Sequence, residues 1–371
     1  MKPVLISTAL LLCSCTTLKF AVNEKIIPKE NCASLGNYIL PFLQVNLEGK
    51  DCFFLVDTGA TGTVLTDSTA IDNFESKKFA AFGSNVSANG HKNKNRFFTA
   101  KVASPLFESD NKLMLYTLMP KAFCSKQSTL TGIIGLDVFF EDETALFLNF
   151  SKNEICTLNK SDFSNYSSQN FKLIPSECKN NQIFVFVEIE GKLFRFKLDT
   201  GFSGNMIIPD SEKAQFDNPN KMVLEGTLYG TVSSMTLGVE TLYEKMPILF
   251  AGEKVDSKVN VSSSIKSQNI GFQFMKGFDW LIDYNNNKVY VKRNNHIIES
   301  NFDRKVSYYS RANSSDLVIT TKEKSKVKYQ LGDKITTVNG QKITPENICE
   351  YQELLNKSED WDALNLEVTT K

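Results

Sequence analysis

One stretch of this chain occurs twice. Residues 46–59 read NLEGKDCFFLVDTG and residues 188–201 read EIEGKLFRFKLDTG. With Asp57 set on Asp199, an offset of 142 residues, Glu48-Gly49-Lys50 falls on Glu190-Gly191-Lys192 and Asp57-Thr58-Gly59 on Asp199-Thr200-Gly201. Gly62 then falls on Gly204. Upstream of each aspartate, apolar and polar residues alternate: Phe42, Val45 and Leu47 in one copy, Phe184, Phe186 and Ile189 in the other. Period-two runs around a Glu-Gly-Lys turn predict a β-hairpin that leads into each Asp-Thr-Gly.

A second pair of segments follows at similar distances. Thr131-Gly132-Ile133-Ile134-Gly135-Leu136-Asp137 comes after the first aspartate, and Asn269-Ile270-Gly271-Phe272 after the second. Each leads to two apolar strands flanking a turn of Ser, Lys and Asn, ALFLNFSKNEICTL at 145–158 and WLIDYNNNKVYVKR at 280–293. The copies are too diverged for a propeller or solenoid. They predict a mainly β chain with lobes at 37–158 and 181–293, joined by a connector at 159–180. Two related lobes on one chain place a duplicated motif face to face across a pseudo-two-fold axis.

Composition narrows the chemistry. Lys+Arg and Asp+Glu are both 42, so no global basic field exists to hold nucleic acid. The 2 histidines, His91 and His296, cannot make a three-His zinc site. No CxxC spacing suggests a zinc knuckle, so neither a metal nor another cofactor is expected. Carboxylate chemistry remains open.

LVDTGAT with GIIGLDVF, and LDTGFSG with NIGFQFM, resemble the aspartic proteases, most closely the retropepsin-like type and its bacterial relatives. The resemblance covers roughly residues 37–293 and implies the two-lobed acid-protease fold, with Asp57 and Asp199 as the catalytic pair. Two carboxyl groups sharing one proton can activate water and protonate a peptide carbonyl, because like charges about 3 Å apart cannot both ionise. Thr58 and Thr200 are expected to hydrogen-bond across the axis. Gly59 and Gly201 are expected to let backbone approach the carboxyls closely. Relatives working in strong acid usually carry Ser or Thr after the Gly, where this chain has Ala60 and Phe202. Loss of that donor implies a raised pKa for the pair and activity at mildly acidic to neutral pH. Asn269, standing where the first lobe has Ile133, is expected to alter local packing.

Each lobe also has a Gly-containing polar loop downstream of its aspartate, GSNVSANG at 83–90 and GTLYGTVSS at 226–234. These are flaps over a substrate cleft or ordinary hairpin turns; Ser84, Asn85 and Tyr229 are the candidate substrate contacts.

The first residues read as a secretory signal, with Lys2 and then an apolar run, Val4 to Leu12. Leu12-Cys13-Ser14-Cys15 resembles a bacterial lipobox, which would make Cys15 the lipidated first residue of the mature protein. An ordinary signal peptide (residues 1–15) is the other reading, and residues 16–36 are expected to form a tether. No acidic cluster follows Cys15, which favours a membrane-anchored lipoprotein facing the periplasm. Six further cysteines, Cys32, Cys52, Cys124, Cys156, Cys178 and Cys349, allow disulfides without specifying pairs.

After a polar linker at 294–304, residues 305–371 contain Leu331-Gly332-Asp333-Lys334-Ile335-Thr336-Thr337-Val338-Asn339-Gly340 and then Ile343, which resembles PDZ domains. A small α+β module is expected, with a helix from Pro345 to Asn356 capped by Thr344 and a last strand from Ala363 to Thr369. Asp316 in the Asn313–Asp316 loop would repel a peptide carboxylate. Two functions follow for the whole chain: a monomeric aspartic endopeptidase acting on peptide or protein substrates, or a catalytically silent lipoprotein that binds peptides or proteins.

Overall fold

The computed structural model describes residues 18–19, 21–36, 40–117, 123–124, 130–140, 144–231, 234–302 and 307–370. The signal segment and Cys15 lie outside them. The chain is mainly β, and among the described residues its strands form sheets of eight, six and thirteen.

Both expected hairpins form. Phe42–Leu47 pairs with Lys50–Val56, and Gln182–Ile189 with Lys192–Asp199. Glu48 and Gly49 turn the first with φ of 52° and 87°, Glu190 and Gly191 the second with 49° and 73°. Positive φ at both central residues matches the turn's twist to that of the strands. The buried face of the second hairpin is Ile183, Val185, Val187 and Ile189. Phe184 and Phe186 are half-buried on the other face, where the Arg195 guanidinium lies 3.5 Å from the Phe184 ring centre.

The repeat extends to topology. Lys50–Val56 runs parallel to Gly132–Ile134, and Lys192–Asp199 runs parallel to Asn269–Gly271. Each of these short strands is also paired antiparallel to one that follows the Asp-Thr-Gly, Val64–Leu65 or Met206–Pro209. Gly135 and Gly271 are obligatory at the crossings. A Cβ at Gly135 would lie 2.5 Å from the Gly62 backbone, and one at Gly271 2.2 Å from the Gly204 carbonyl oxygen.

The lobes share a six-stranded sheet, in which Ala145–Asn149 pairs antiparallel with Phe278–Asp283. Phe147 stands opposite Leu281 at this junction, and both are buried. A single apolar cluster runs through both lobes, from Leu43, Phe54 and Phe98 to Phe196, Phe274 and Trp280.

Several expected boundaries move. Residues 24–34, expected as tether, belong to the first lobe. Ile27–Pro28 pairs with Phe107–Tyr116, and Cys32–Ser34 with Glu154–Leu158. Glu24 reaches the fully buried Lys112 at 2.6 Å, and Lys112 reaches Asp137 at 2.5 Å. Lobe 1 thus uses these residues to complete a sheet and neutralise a buried cation. The connector is also structured: helix Lys160–Ser167 is followed by Lys172–Ile174 and Ser176–Lys179, which pair with Lys288–Arg293 and Gln182–Ile189.

Disulfides join Cys32 to Cys156 and Cys124 to Cys349, while Cys52 and Cys178 are free. The C-terminal module has its own core, including Tyr308, Leu317, Ile335, Ile348, Leu355 and Trp361. Its helix is Ile348–Lys357, starting three residues later than expected. Thr344 does not cap it through its side chain; its amide donates to the Asn347 Oδ1 at 2.8 Å. The last strand is Leu366–Thr369. The module continues the sheet of lobe 2, because Leu317–Glu323 pairs with Lys221–Gly230.

Candidate active site

The two Asp-Thr-Gly loops meet between the lobes. Each loop's glycine backs onto the other loop's aspartate, which brings the Asp57 and Asp199 carboxyls together. A Cβ added at Gly59 would sit 2.5 Å from the Asp199 carboxyl carbon, and one at Gly201 2.5 Å from that of Asp57. Each glycine therefore presses its backbone against the opposite lobe's carboxyl, a distance no other residue permits.

The threonines lock this approach. The Thr58 amide donates to the Thr200 hydroxyl oxygen at 3.0 Å, and the Thr200 amide donates to the Thr58 hydroxyl oxygen at 3.1 Å. The Thr200 hydroxyl in turn donates to the Val56 carbonyl at 2.7 Å. Both threonines are buried, so each bond satisfies a group that water cannot reach.

Backbone amides fix the carboxyls. Asp57 Oδ1 accepts from the Gly59 amide at 2.8 Å and the Ala60 amide at 3.1 Å, and Asp199 Oδ1 accepts from the Phe202 amide at 3.1 Å. The apolar-apolar-Gly segments support the loops from below. Leu136 donates its amide to the Ala60 carbonyl at 3.0 Å, and Phe272 to the Phe202 carbonyl at 2.7 Å. Burial, then the neighbouring Asp199 carboxyl, push the Asp57 carboxyl up from 3.8 to about 7, against the pull of Lys197.

Two groups break the symmetry. Asn269 donates its side-chain amide to Asp199 Oδ2 at 2.6 Å. Beyond the expected effect on packing, this contact joins Asn269 to a dyad carboxyl. Lys197, two residues before Asp199 and buried, donates to the Gly59 carbonyl at 3.1 Å. The repeat alignment carries the signal for both, since the matching residues in lobe 1 are the apolar Leu55 and Ile133.

The candidate flaps form hairpins, Phe79–Val86 with Lys92–Ala103 and Lys221–Gly230 with Met235–Phe250. Their tips touch: Asn89 donates its side-chain amide to the Ser234 and Thr236 hydroxyls, both at 2.7 Å. Ser84 is exposed and paired with Lys94, and Asn85 is half-buried opposite Asn93. Tyr229 pairs with Thr236 through its backbone, and its side chain lies outside the described residues. His91 is exposed beside the first tip.

No protein-family model and no curated protein matches this chain.

Proposed function

We propose that this protein is an aspartic-type endopeptidase. The observation that carries the reading is the pairing of Asp57 with Asp199, each carboxyl pressed against the opposite lobe's glycine. In the reaction, the ionised aspartate takes a proton from water as the water oxygen bonds to the peptide carbonyl carbon. The protonated aspartate gives its proton to the carbonyl oxygen. The C–N bond of the resulting gem-diol then breaks. The nitrogen takes the proton held by the first aspartate, and the second recovers its own from a diol hydroxyl. One water is consumed, and no cofactor is needed. The backbone amides at Gly59, Ala60 and Phe202 hold the carboxyls in place without moving during the reaction.

The chain's start, with Cys15 in a lipobox-like segment, supports export and a lipid anchor facing the periplasm. Disulfides Cys32–Cys156 and Cys124–Cys349 suit such an oxidising location. The C-terminal module, PDZ-like in sequence, serves in this reading as a dock for lobe 2 rather than a peptide receptor. The free edge of its Tyr308–Ala312 strand, where a peptide strand would add, is engaged by its own helix: Asn356 bonds the Ser310 backbone at 2.8 and 2.9 Å, and Gln352 accepts from the Ala312 amide at 2.5 Å.

The test is to incubate the full chain and its Asp57→Asn variant with a diverse peptide mixture from about pH 3 to 8, the span over which carboxyl pairs titrate. Cuts made by the parent and not by the variant support the proposal. An absence of variant-dependent cuts at every pH transfers the reading to a silent binding lipoprotein.

A further inference from the structure

The two halves of the site are built to one plan and then made unequal. Asp57 is held through Oδ1 by two backbone amides. Asp199 is held through both oxygens, by the Phe202 amide on Oδ1 and the Asn269 side-chain amide on Oδ2. Asn269 is itself oriented, because its Oδ1 accepts from the Ser267 hydroxyl at 3.0 Å. Its amide group must therefore face Asp199, and a donor aimed at a carboxyl oxygen favours the ionised form. Lys197 lies beside Asn269 in the parallel strand pair. A buried ammonium is costly without a nearby negative charge, and the dyad supplies one.

We propose that Asn269 is a positioning residue that places the dyad's negative charge on Asp199 and its shared proton on Asp57, and that Lys197 is a positioning residue that favours the negative charge of the pair as a whole. Resting on the aspartic-dyad reading, this assigns the roles in the reaction. Asp199 takes the proton from water, and Asp57 gives its proton to the substrate carbonyl. Both residues also offset the absence of a hydroxyl donor at Ala60 and Phe202. The strongest influences on the Asp57 charge, after burial, are the Asp199 carboxyl, the Lys197 ammonium and the Gly59 amide. The strands packed against the two loops, Gly132–Ile134 and Asn269–Gly271, bring no charged side chain. His91 and Lys266 belong to the flap-tip contacts.

The experiment is a carboxyl-carbon NMR titration of the full chain labelled at aspartate, with the two dyad signals assigned by the Asp57→Asn and Asp199→Asn variants. In the parent, Asp199 is expected to ionise first as pH rises. The same titration is run on Asn269→Ile and Lys197→Leu, which install the lobe 1 residues, and on Lys197→Arg as the conservative control. Asn269→Ile is expected to raise the first ionisation of the pair by about one pH unit and leave the second near its parent value. Lys197→Leu is expected to raise both, and Lys197→Arg to restore the parent curve. Where peptide cleavage is measurable, the acid limb of its pH profile moves with the first ionisation, and the alkaline limb moves only in Lys197→Leu. Asp57 ionising first in the parent, or unchanged curves in both apolar variants, overturns the proposal. The titration needs no turnover, so shifted curves without cleavage reject the protease reading alone, and cleavage with unshifted curves rejects the positioning roles alone. A variant that does not fold leaves the order of ionisation in the parent as the deciding result.

Discussion

The Thr58 amide lies 3.0 Å from the Thr200 hydroxyl, and the Thr200 amide lies 3.1 Å from the Thr58 hydroxyl. This reciprocal pair holds two loops that begin 142 residues apart in the chain at a fixed spacing. Replacing Thr200 by Val keeps the shape and leaves the buried Thr58 amide and Val56 carbonyl without this partner. We expect a loss of about 2–4 kcal/mol in denaturant unfolding, from two unsatisfied buried groups, and a loss of activity beyond what unfolding explains. Thr200→Ser keeps the hydroxyl and is expected to stay close to the parent.

The buried triad of Glu24, Lys112 and Asp137 gives lobe 1 an acid-sensitive joint. Burial pushes Asp137 up, yet the Lys112 ammonium overrides this and holds the carboxyl below its usual 3.8. A depressed carboxyl contributes stability above its unfolded pKa and loses it as pH falls through the folded value. Lobe 1 should therefore lose stability below about pH 4, and Asp137→Asn should flatten that dependence. Lys112→Met, which strands two buried carboxylates, is expected to cost about 3–5 kcal/mol at neutral pH. Thermal melts from pH 2 to 7 check both.

Glu240 has the opposite sign. It is buried in the long strand Met235–Phe250, and its Oε1 accepts from the Asn260 side-chain amide at 2.7 Å. Burial raises its carboxyl from 4.5 to about 7, despite the hydrogen bonds from Ser262 and Asn260. The folded state then holds the proton more tightly than the unfolded state, so stability falls as pH rises from about 4.5 to 7 and is level above. Glu240→Gln keeps the acceptor and removes the charge. It should stabilise the protein at pH 8 by an amount of order 3 kcal/mol and change little at pH 4. Equal stabilisation at both pH values would contradict the assignment.

The C-terminal module braces the second candidate flap hairpin. Leu317–Glu323 pairs with it at Leu224, Glu225 and Gly226, Lys322 meets Glu225 at 3.2 Å, and the Lys324 amide donates to the Val223 carbonyl at 2.8 Å. Gly226 has φ +121°, and a Cβ there would sit 2.1 Å from the Thr320 carbonyl oxygen. Gly226→Val should separate the module from the flap. Faster hydrogen exchange at Lys324 and across 221–243, with the Tyr308–Trp361 core still protected, is the expected pattern. The Cys124–Cys349 bond also ties the module to the first lobe's chain. Removing it as Cys124→Ser/Cys349→Ser should cost up to about 5 kcal/mol, the chain-entropy limit for so long a loop.

The β architecture could be read from the sequence because the repeat supplies its own alignment. The Glu-Gly turns and the alternating strands each have a local cause, and the two glycines at the crossings stand at matching places in both copies. That the two Asp-Thr-Gly loops would meet was legible for the same reason. Lys197 and Asn269 were harder to see, because their contacts, to the Gly59 carbonyl of the other lobe and to the Asp199 carboxyl, form only in the folded chain. Leu55 and Ile133 at the matching positions carry no such chemistry. The N-terminal residues looked like a tether because Ile27–Pro28 and Cys32–Ser34 are strands of two and three residues, too short to leave a periodic pattern. Their partners at Phe107–Tyr116 and Glu154–Leu158 are far along the chain. The disulfide pairs likewise depend on tertiary approach, not spacing.

The most direct test of the central claim compares initial rates of peptide cleavage by the parent, Asp57→Asn and Asp199→Asn near pH 6, with folding of each variant checked by circular dichroism. A dyad that shares its work predicts that both variants lose activity by a factor of about 10²–10⁴ while remaining folded. A folded variant that keeps the parent's rate would show that catalysis does not run through the pair.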